Sequence, residues 1–241
     1  KTQEFPSLTS NSKLGIPKNE NFTVSQGASN VFAVSPSRSA TGSTLMASDP
    51  HTRLTAPSKY MLVSLNLLSG TVTGGTLPGI PAILIGKGEK LGWGLASSYL
   101  DDQDLYVEKI NPNDPNQYIT EDGPKNFKTR EEIIRIKDKK SITITVKSTQ
   151  NGPILSNDLY GVKEITPDNH LISIKWTGLH KADRTIETFF TLMQADTIEK
   201  AKKDLHLFVA PGQNILLADK KNIYMQSIGF LPNRGREHST Q

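Results

Sequence analysis

The sequence predicts an α+β fold, strand-rich, with two helices that come late and together. Three observations carry this reading. First, Tyr60–Leu67 (YMLVSLNL) places Met61, Val63, Leu65 and Leu67 on one face with a period of two, the mark of a half-buried strand. Second, EEIIRIK and SITITVK flank Asp138-Lys139-Lys140. Ile133 stands in one arm and Ile142, Ile144 and Val146 alternate in the other, which reads as a hairpin. Third, two successive windows carry helical spacing. DRTIETFFTLMQA sets Ile186, Phe189, Phe190 and Met193 at i, i+3, i+4 and i+7, and DTIEKAKKDLHLF sets Ile198, Ala201 and Leu205 at i, i+3 and i+7. Strands in runs with helices grouped together favour packed α+β layers over a βαβ array.

In chain order, residues 1–25 are polar and aperiodic and predict a mobile arm or linker. Residues 26–241 predict a partial core that lacks chain both upstream and downstream, with short β-like runs from Val31 onward. HLISIKW (His170–Trp176) predicts a further strand, and NILLAD and NIYMQSIG predict a pair about Lys220-Lys221. In the second helical window Asp196 lies three residues before Glu199, a capping-box-like start. No internal repeat is visible.

Composition excludes several classes of function. Lys and Arg number 28 against 24 Asp and Glu, a net charge of +4 that is dispersed rather than gathered on a face, so nucleic acid is not an expected partner. There is no Cys, which removes disulfides, thiolate nucleophiles and Cys-ligated zinc. No run approaches the roughly 20 apolar residues of a membrane helix, and the opening KTQEFPSLTS has no apolar signal core. It reads as a segment cut from something longer. GKGEKLG (Gly86–Gly92) lacks the spacing of a dinucleotide fingerprint and predicts a glycine turn between strands. No G-x-S-x-G elbow is present; SNSK at Ser10 matches S-x-x-K but without partner motifs. The five His residues show no zinc-hydrolase spacing. NFT at Asn21 is a formal glycosylation sequon.

What survives is a set of short motifs in order: Ser29-Asn30, the DPH that ends at His51, GWGLASSYLDDQDLY, APGQNILLAD and GFLPNR. Taken singly, each has an ordinary reading. Ser29-Asn30 suits a turn before a strand, His51 a turn cap, Asp101–Asp104 a solvated acidic turn, Asn214 a loop amide and Arg234 a surface cation. Together, with TLPGIPAILIG, LYVEKI and NGPI in addition, they resemble the penicillin acylase family of N-terminal-nucleophile hydrolases over about residues 25–234.

The resemblance implies an αββα layered fold and an amide hydrolase. A Ser hydroxyl is a weak nucleophile that needs a base. Here the base is expected to be the α-amino group of Ser29 itself, freed by self-cleavage between Ala28 and Ser29. Such an amine ordinarily titrates at about 7.7–8.0, close to working pH. Asn214 and the backbone N–H of Ser97 are implied oxyanion donors, Arg234 the residue that orients Asn214, and His51 a bridge between the Ser29 hydroxyl and its amine. Phe32, Thr52 and Ile85 are implied to line an acyl pocket for a β-lactam side chain, an N-acyl homoserine lactone or another N-acyl amine. Asp101, Gln103 and Asp104 are implied ligands of one structural calcium, whose shell of about 6–8 oxygens needs further donors from elsewhere. The remaining chains of a processed heterodimeric acylase are the implied partners, and the periplasm or the outside of the cell is the implied location.

Two departures from the family pattern stand out. Ala28 replaces the usual Gly before the nucleophile, adding a Cβ where the backbone must reach an attack-ready geometry. Phe32 replaces a Trp and loses an N–H donor. With 28 residues ahead of it, the Ser29 nitrogen is an amide and no base. The chain as written is therefore expected to be inactive alone. The other reading is an acylase-like module that binds without catalysis.

Overall fold

The computed structural model describes residues 28–52, 54–159 and 161–235; the arm expected over 1–25 lies outside them. The described residues divide into two compact units. One comprises described residues 28–102 and 177–233, and the other 103–176 and 234–235.

In the first unit the chain forms β1 (Ala28–Val34), β2 (Leu45–His51), β3 (Met61–Leu67), β4 (Gly70–Thr76), β5 (Ile85–Lys87) and β6 (Leu91–Ser97). The second unit supplies β7 (Gln103–Asn111), β8 (Asp114–Thr120), β9 (Gly123–Asn126), β10 (Lys128–Ile134), β11 (Ile142–Ser148), α1 (Val162–Ile165) and β12 (His170–Trp176). The chain then returns to the first unit with α2 (Thr185–Gln194), α3 (Ile198–Lys202), β13 (Gln213–Asp219) and β14 (Ile223–Ile228).

The first unit is built on a six-stranded sheet of order β14-β13-β6-β5-β4-β3, antiparallel throughout. Strand β6, LGWGLAS, shows why the sheet carries different layers on its two faces. Successive side chains of a strand point to opposite sides. Leu91 and Trp93 enter the core with α2 and α3, and Leu95 packs against it. Gly92, Gly94 and Ala96 form the other face, and they are small because the β1-β2 ribbon lies on them. A methyl group added at Gly94 would stand 2.6 Å from Val31 Cγ2 and 2.9 Å from Ser48 Cβ. One at Gly92 would meet Met46 at 3.4 Å. Helices, a full sheet and a two-stranded second β layer thus give three of the four expected layers; the fourth is not formed among the described residues. In the core, Trp93 is fully buried and donates Nε1–H to the Ile83 carbonyl at 3.2 Å, so its one polar atom is satisfied.

The helices differ in detail from expectation. α2 buries Thr188, Phe189, Leu192 and Met193, while Phe190, expected on the apolar stripe, is 37% exposed. The shift follows from Thr188, whose hydroxyl donates to the Asp204 carbonyl at 3.1 Å; a satisfied hydroxyl can occupy a core position. α3 is capped one residue later than expected. Thr197 Oγ1 accepts from the Lys200 N–H, and Asp196 instead pairs with Lys200 Nζ at 2.8 Å. Ile198, Ala201 and Leu205 are buried, as their spacing predicts.

The second unit holds a four-stranded sheet of order β12-β7-β8-β9 and the β10-β11 ribbon. The hairpin and the His170–Trp176 strand therefore form where the sequence places them. Glu108 is buried, and its Oε1 accepts from Thr149 Oγ1 (2.7 Å), Ser173 Oγ (2.7 Å) and Asn151 Nδ2 (3.0 Å). Three donors offset the desolvation of this carboxylate. Among the described residues no helix is long and apolar enough to cross a membrane.

Candidate active site

Register decides which side chains can meet. β1 and β2 pair antiparallel, with Ser29 opposite Pro50, Val31 opposite Ser48, and Ala28 opposite His51. Residues directly opposite each other share a face of the ribbon. Ser29, Val31, Ser48 and Pro50 therefore face the sheet, and Ala28, Asn30, Asp49 and His51 face away from it. On the inward face, half-buried Ser29 reaches the end of β6. The Ser97 backbone N–H donates to Ser29 Oγ at 3.3 Å. The expected nucleophile and one expected oxyanion donor thus stand in contact.

Asn214 lies beside them. It is opposite Ala96 on β6 and opposite Ser227 on β14. Ala96 is on the ribbon side of β6, so Asn214 and Ser227 are on that side too. Ser227 Oγ donates to Asn214 Oδ1 at 2.6 Å, which leaves Nδ2 as the donating end of the amide.

His51 is placed differently from expectation. It is on the outer face, across from Ala28, and its Nε2 pairs with Asp49 Oδ2 at 2.7 Å. The strand alternation between Pro50 and His51 turns its ring away from the Ser29 hydroxyl. What His51 faces is the strand position of the Ala28–Ser29 peptide bond, which is intact here and lies at the start of β1. Arg234 was expected to orient Asn214, which belongs to the other unit. Arg234 pairs with Asp104, its Nε lying 3.0 Å from Oδ1 and 3.1 Å from Oδ2 with both side chains nearly buried.

That pairing bears on calcium. Asp104 shares its carboxylate with Arg234. Asp101 is the last residue but one in the first segment of one unit, and Gln103 and Asp104 open β7 in the other. Among the described residues no three His, Asp or Glu side chains gather as a metal site.

A cavity of about 1110 Å³ opens beside the ribbon's inward face. Met46, Pro50 and Thr52 form one wall and Leu62, Gly75 and Ile85 another. Pro50 is the residue opposite Ser29, so the cavity adjoins the nucleophile's strand. Thr52 and Ile85, two of the expected acyl-pocket residues, line it. Phe32 does not: it is on the outer face of β1 and 59% exposed. Tyr60, also in the lining, has its phenol pushed up by burial. Away from this apolar part the lining is charged, with Lys87, Glu89 and Lys220 among its residues. Sequence reasoning missed Asp49, Gly75 and Ser227. The only signals for them were the acid two residues before His51 and a serine in the last predicted strand.

The chain is similar to known proteins. The acyl-homoserine lactone acylase QuiP of Pseudomonas aeruginosa is 34% identical over 212 residues, covering 86% of this chain and 25% of that protein. The penicillin G acylase of Escherichia coli is 27% identical over 150 residues, 62% of this chain and 17% of that one. The chain spans about a quarter of the length of the first of these relatives. Among solved structures, a thermostable penicillin G acylase from Alcaligenes faecalis superposes with a TM-score of 0.74 at 23% identity, covering 87% of this chain and 37% of that one; this likeness shows the shared fold and bears out the α+β reading. A family model described as penicillin amidase matches residues 2–241, the polar arm included. The chain belongs to the penicillin amidase family.

Proposed function

We propose that this chain is the nucleophile-bearing part of an acylase that hydrolyses the amide of an N-acyl homoserine lactone through an acyl-Ser29 intermediate, completed by further acylase chain. The observation that carries the reading is the Ser97 N–H on Ser29 Oγ. A tetrahedral intermediate places its oxyanion on the carbon bonded to that same Oγ, so a donor at Oγ is already close to the developing charge. Such donors, fixed in advance, are worth about 10²–10³ in rate each.

The chemistry has two stages. In the first, Ser29 Oγ attacks the Ala28 carbonyl and the peptide bond becomes an ester. Water then hydrolyses the ester, leaving a carboxylate on Ala28 and a free α-amine on Ser29. In the second, that amine takes the Oγ proton as Oγ attacks the substrate carbonyl, and returns it to the leaving amine. The acyl group stays on Ser29 until water removes it as the acid. The substrate choice rests on family membership, on the higher identity to an acyl-homoserine lactone acylase than to a penicillin acylase, and on the apolar walls of the cavity. Its volume of about 1110 Å³ lies just above the usual range for small-molecule sites, about 300–1,000 Å³. The test is release of homoserine lactone, read by amine detection, from the completed enzyme given acyl chains of graded length. Equal inactivity on all of them, with turnover of penicillin G, would overturn the choice of substrate.

Gly75 gives a sharper prediction. A methyl group there would stand 3.2 Å from Ile85 Cγ1 and 3.7 Å from Tyr60 Cδ1, both in the cavity wall. Gly75→Val is expected to shift preference toward shorter acyl chains. A misfit of one methylene is worth about 1–3 kcal/mol, roughly 10–200-fold in kcat/KM. An unchanged length profile in the folded variant would place the acyl chain elsewhere.

A further inference from the structure

We infer that Ser227 is a positioning residue for the oxyanion hole: it locks the Asn214 amide in the orientation that aims Nδ2 at the reacting centre. The inference rests on the proposed role of Asn214 and goes one step beyond it. A side-chain amide can turn over by 180°, exchanging an acceptor for a donor at nearly the same position. An Asn that stabilises an oxyanion must not do this, because the flipped amide would present oxygen to negative charge.

The geometry supplies a lock. Asn214 and Ser227 are directly opposite each other on β13 and β14, and Ser227 Oγ lies 2.6 Å from Asn214 Oδ1, with the hydroxyl donating. A serine hydroxyl can also accept, so the bond alone would not choose a rotamer; the Ser97 N–H at Ser29 decides it. Asn214 shares its face of the sheet with the neighbour of Ser97, and the centre they border develops negative charge. Only Oδ1 toward Ser227 and Nδ2 toward the centre satisfies both. β14 is the edge strand of the sheet, and Ser227 is exposed, so little of the core depends on it.

In the complete enzyme, Ser227→Ala is expected to lower kcat about tenfold with KM within twofold and an unchanged melting temperature, the size expected for removal of one neutral hydrogen bond. Ser227→Thr, which keeps the hydroxyl, is expected to restore most of the rate. Asn214→Ala is expected to lower kcat by about 10²–10³, and adding Ser227→Ala to it should cost no more. Two failures are distinct. If Asn214→Ala keeps full kcat, Asn214 is not the donor and the reading beneath the inference fails. If Asn214→Ala is slow while Ser227→Ala is as fast as wild type, or if the two effects multiply in the double variant, Ser227 does not act through Asn214 and the inference is overturned.

Discussion

Replacing Ser29 by Ala is expected to leave the chain whole and to abolish amide hydrolysis. The hydroxyl is the only group of Ser29 that the substitution removes, and both stages of the proposed chemistry begin with it. Loss of a hydrolase nucleophile costs on the order of 10⁶ in kcat. The fold should persist, because Ser29 is half-buried and its hydroxyl accepts one 3.3 Å hydrogen bond among the described residues, from the Ser97 N–H. A part-buried hydrogen bond of this kind contributes about 0.5–1.5 kcal/mol. The variant is therefore expected to be soluble, uncleaved by mass and inert. Wild-type turnover in a Ser29→Ala protein would place the nucleophile elsewhere in the molecule.

The second large effect is expected at Gly94, which touches no reacting atom. Gly94→Ala puts a methyl group 2.6 Å from Val31 Cγ2 and 2.9 Å from both Ser48 Cβ and Ser48 Oγ. Real carbon contacts are near 3.5–4.0 Å, so the β1-β2 ribbon must lift from the sheet. Val31 is two residues from Ser29 on the same inward face, so the lift carries Ser29 Oγ away from the Ser97 N–H. Overpacking of this kind costs about 1–3 kcal/mol of stability. A displacement near 1 Å at a reacting group costs about 10² in rate. Slow self-cleavage and a loss of about 10² in kcat are expected together, with the six-stranded sheet still formed. Full activity in a folded Gly94→Ala protein would mean that the close seat of the ribbon does not position Ser29.

Much of the fold was legible because its signals are local. The period-two runs of β3, β11 and β12 and the glycine turn between β5 and β6 lie in contiguous residues. The face of α2 was misjudged because its pattern counts carbon, and Thr188 is buried through a hydroxyl bonded to Asp204. The cap of α3 was displaced by one residue because Asp196 and Thr197 are both good caps, and Lys200 takes Asp196 by its side chain. The division into two units was hidden because the first unit is made of segments separated by the whole of the second.

The site was legible to the extent that short motifs mark it. Ser29, Ser97 and Asn214 were named from sequence; Ser29 Oγ meets the backbone N–H of Ser97, and Asn214 stands opposite Ala96, the neighbour of Ser97. Ser227 was out of reach, since its pairing with Asn214 depends on the register of β13 on β14. The face that His51 occupies is set by parity. His51 follows Pro50 by one residue, and one residue in a strand is the difference between the face that holds Ser29 and the face that does not.

The central claim is that Ser29 acts through an amine it gains by breaking the bond before it. Intact mass and amino-terminal sequencing of the mature, active enzyme test this most directly. The account predicts a polypeptide beginning at Ser29, with the chain ending at Ala28 recovered separately. Full turnover by a protein in which Ala28 and Ser29 are still joined would contradict it.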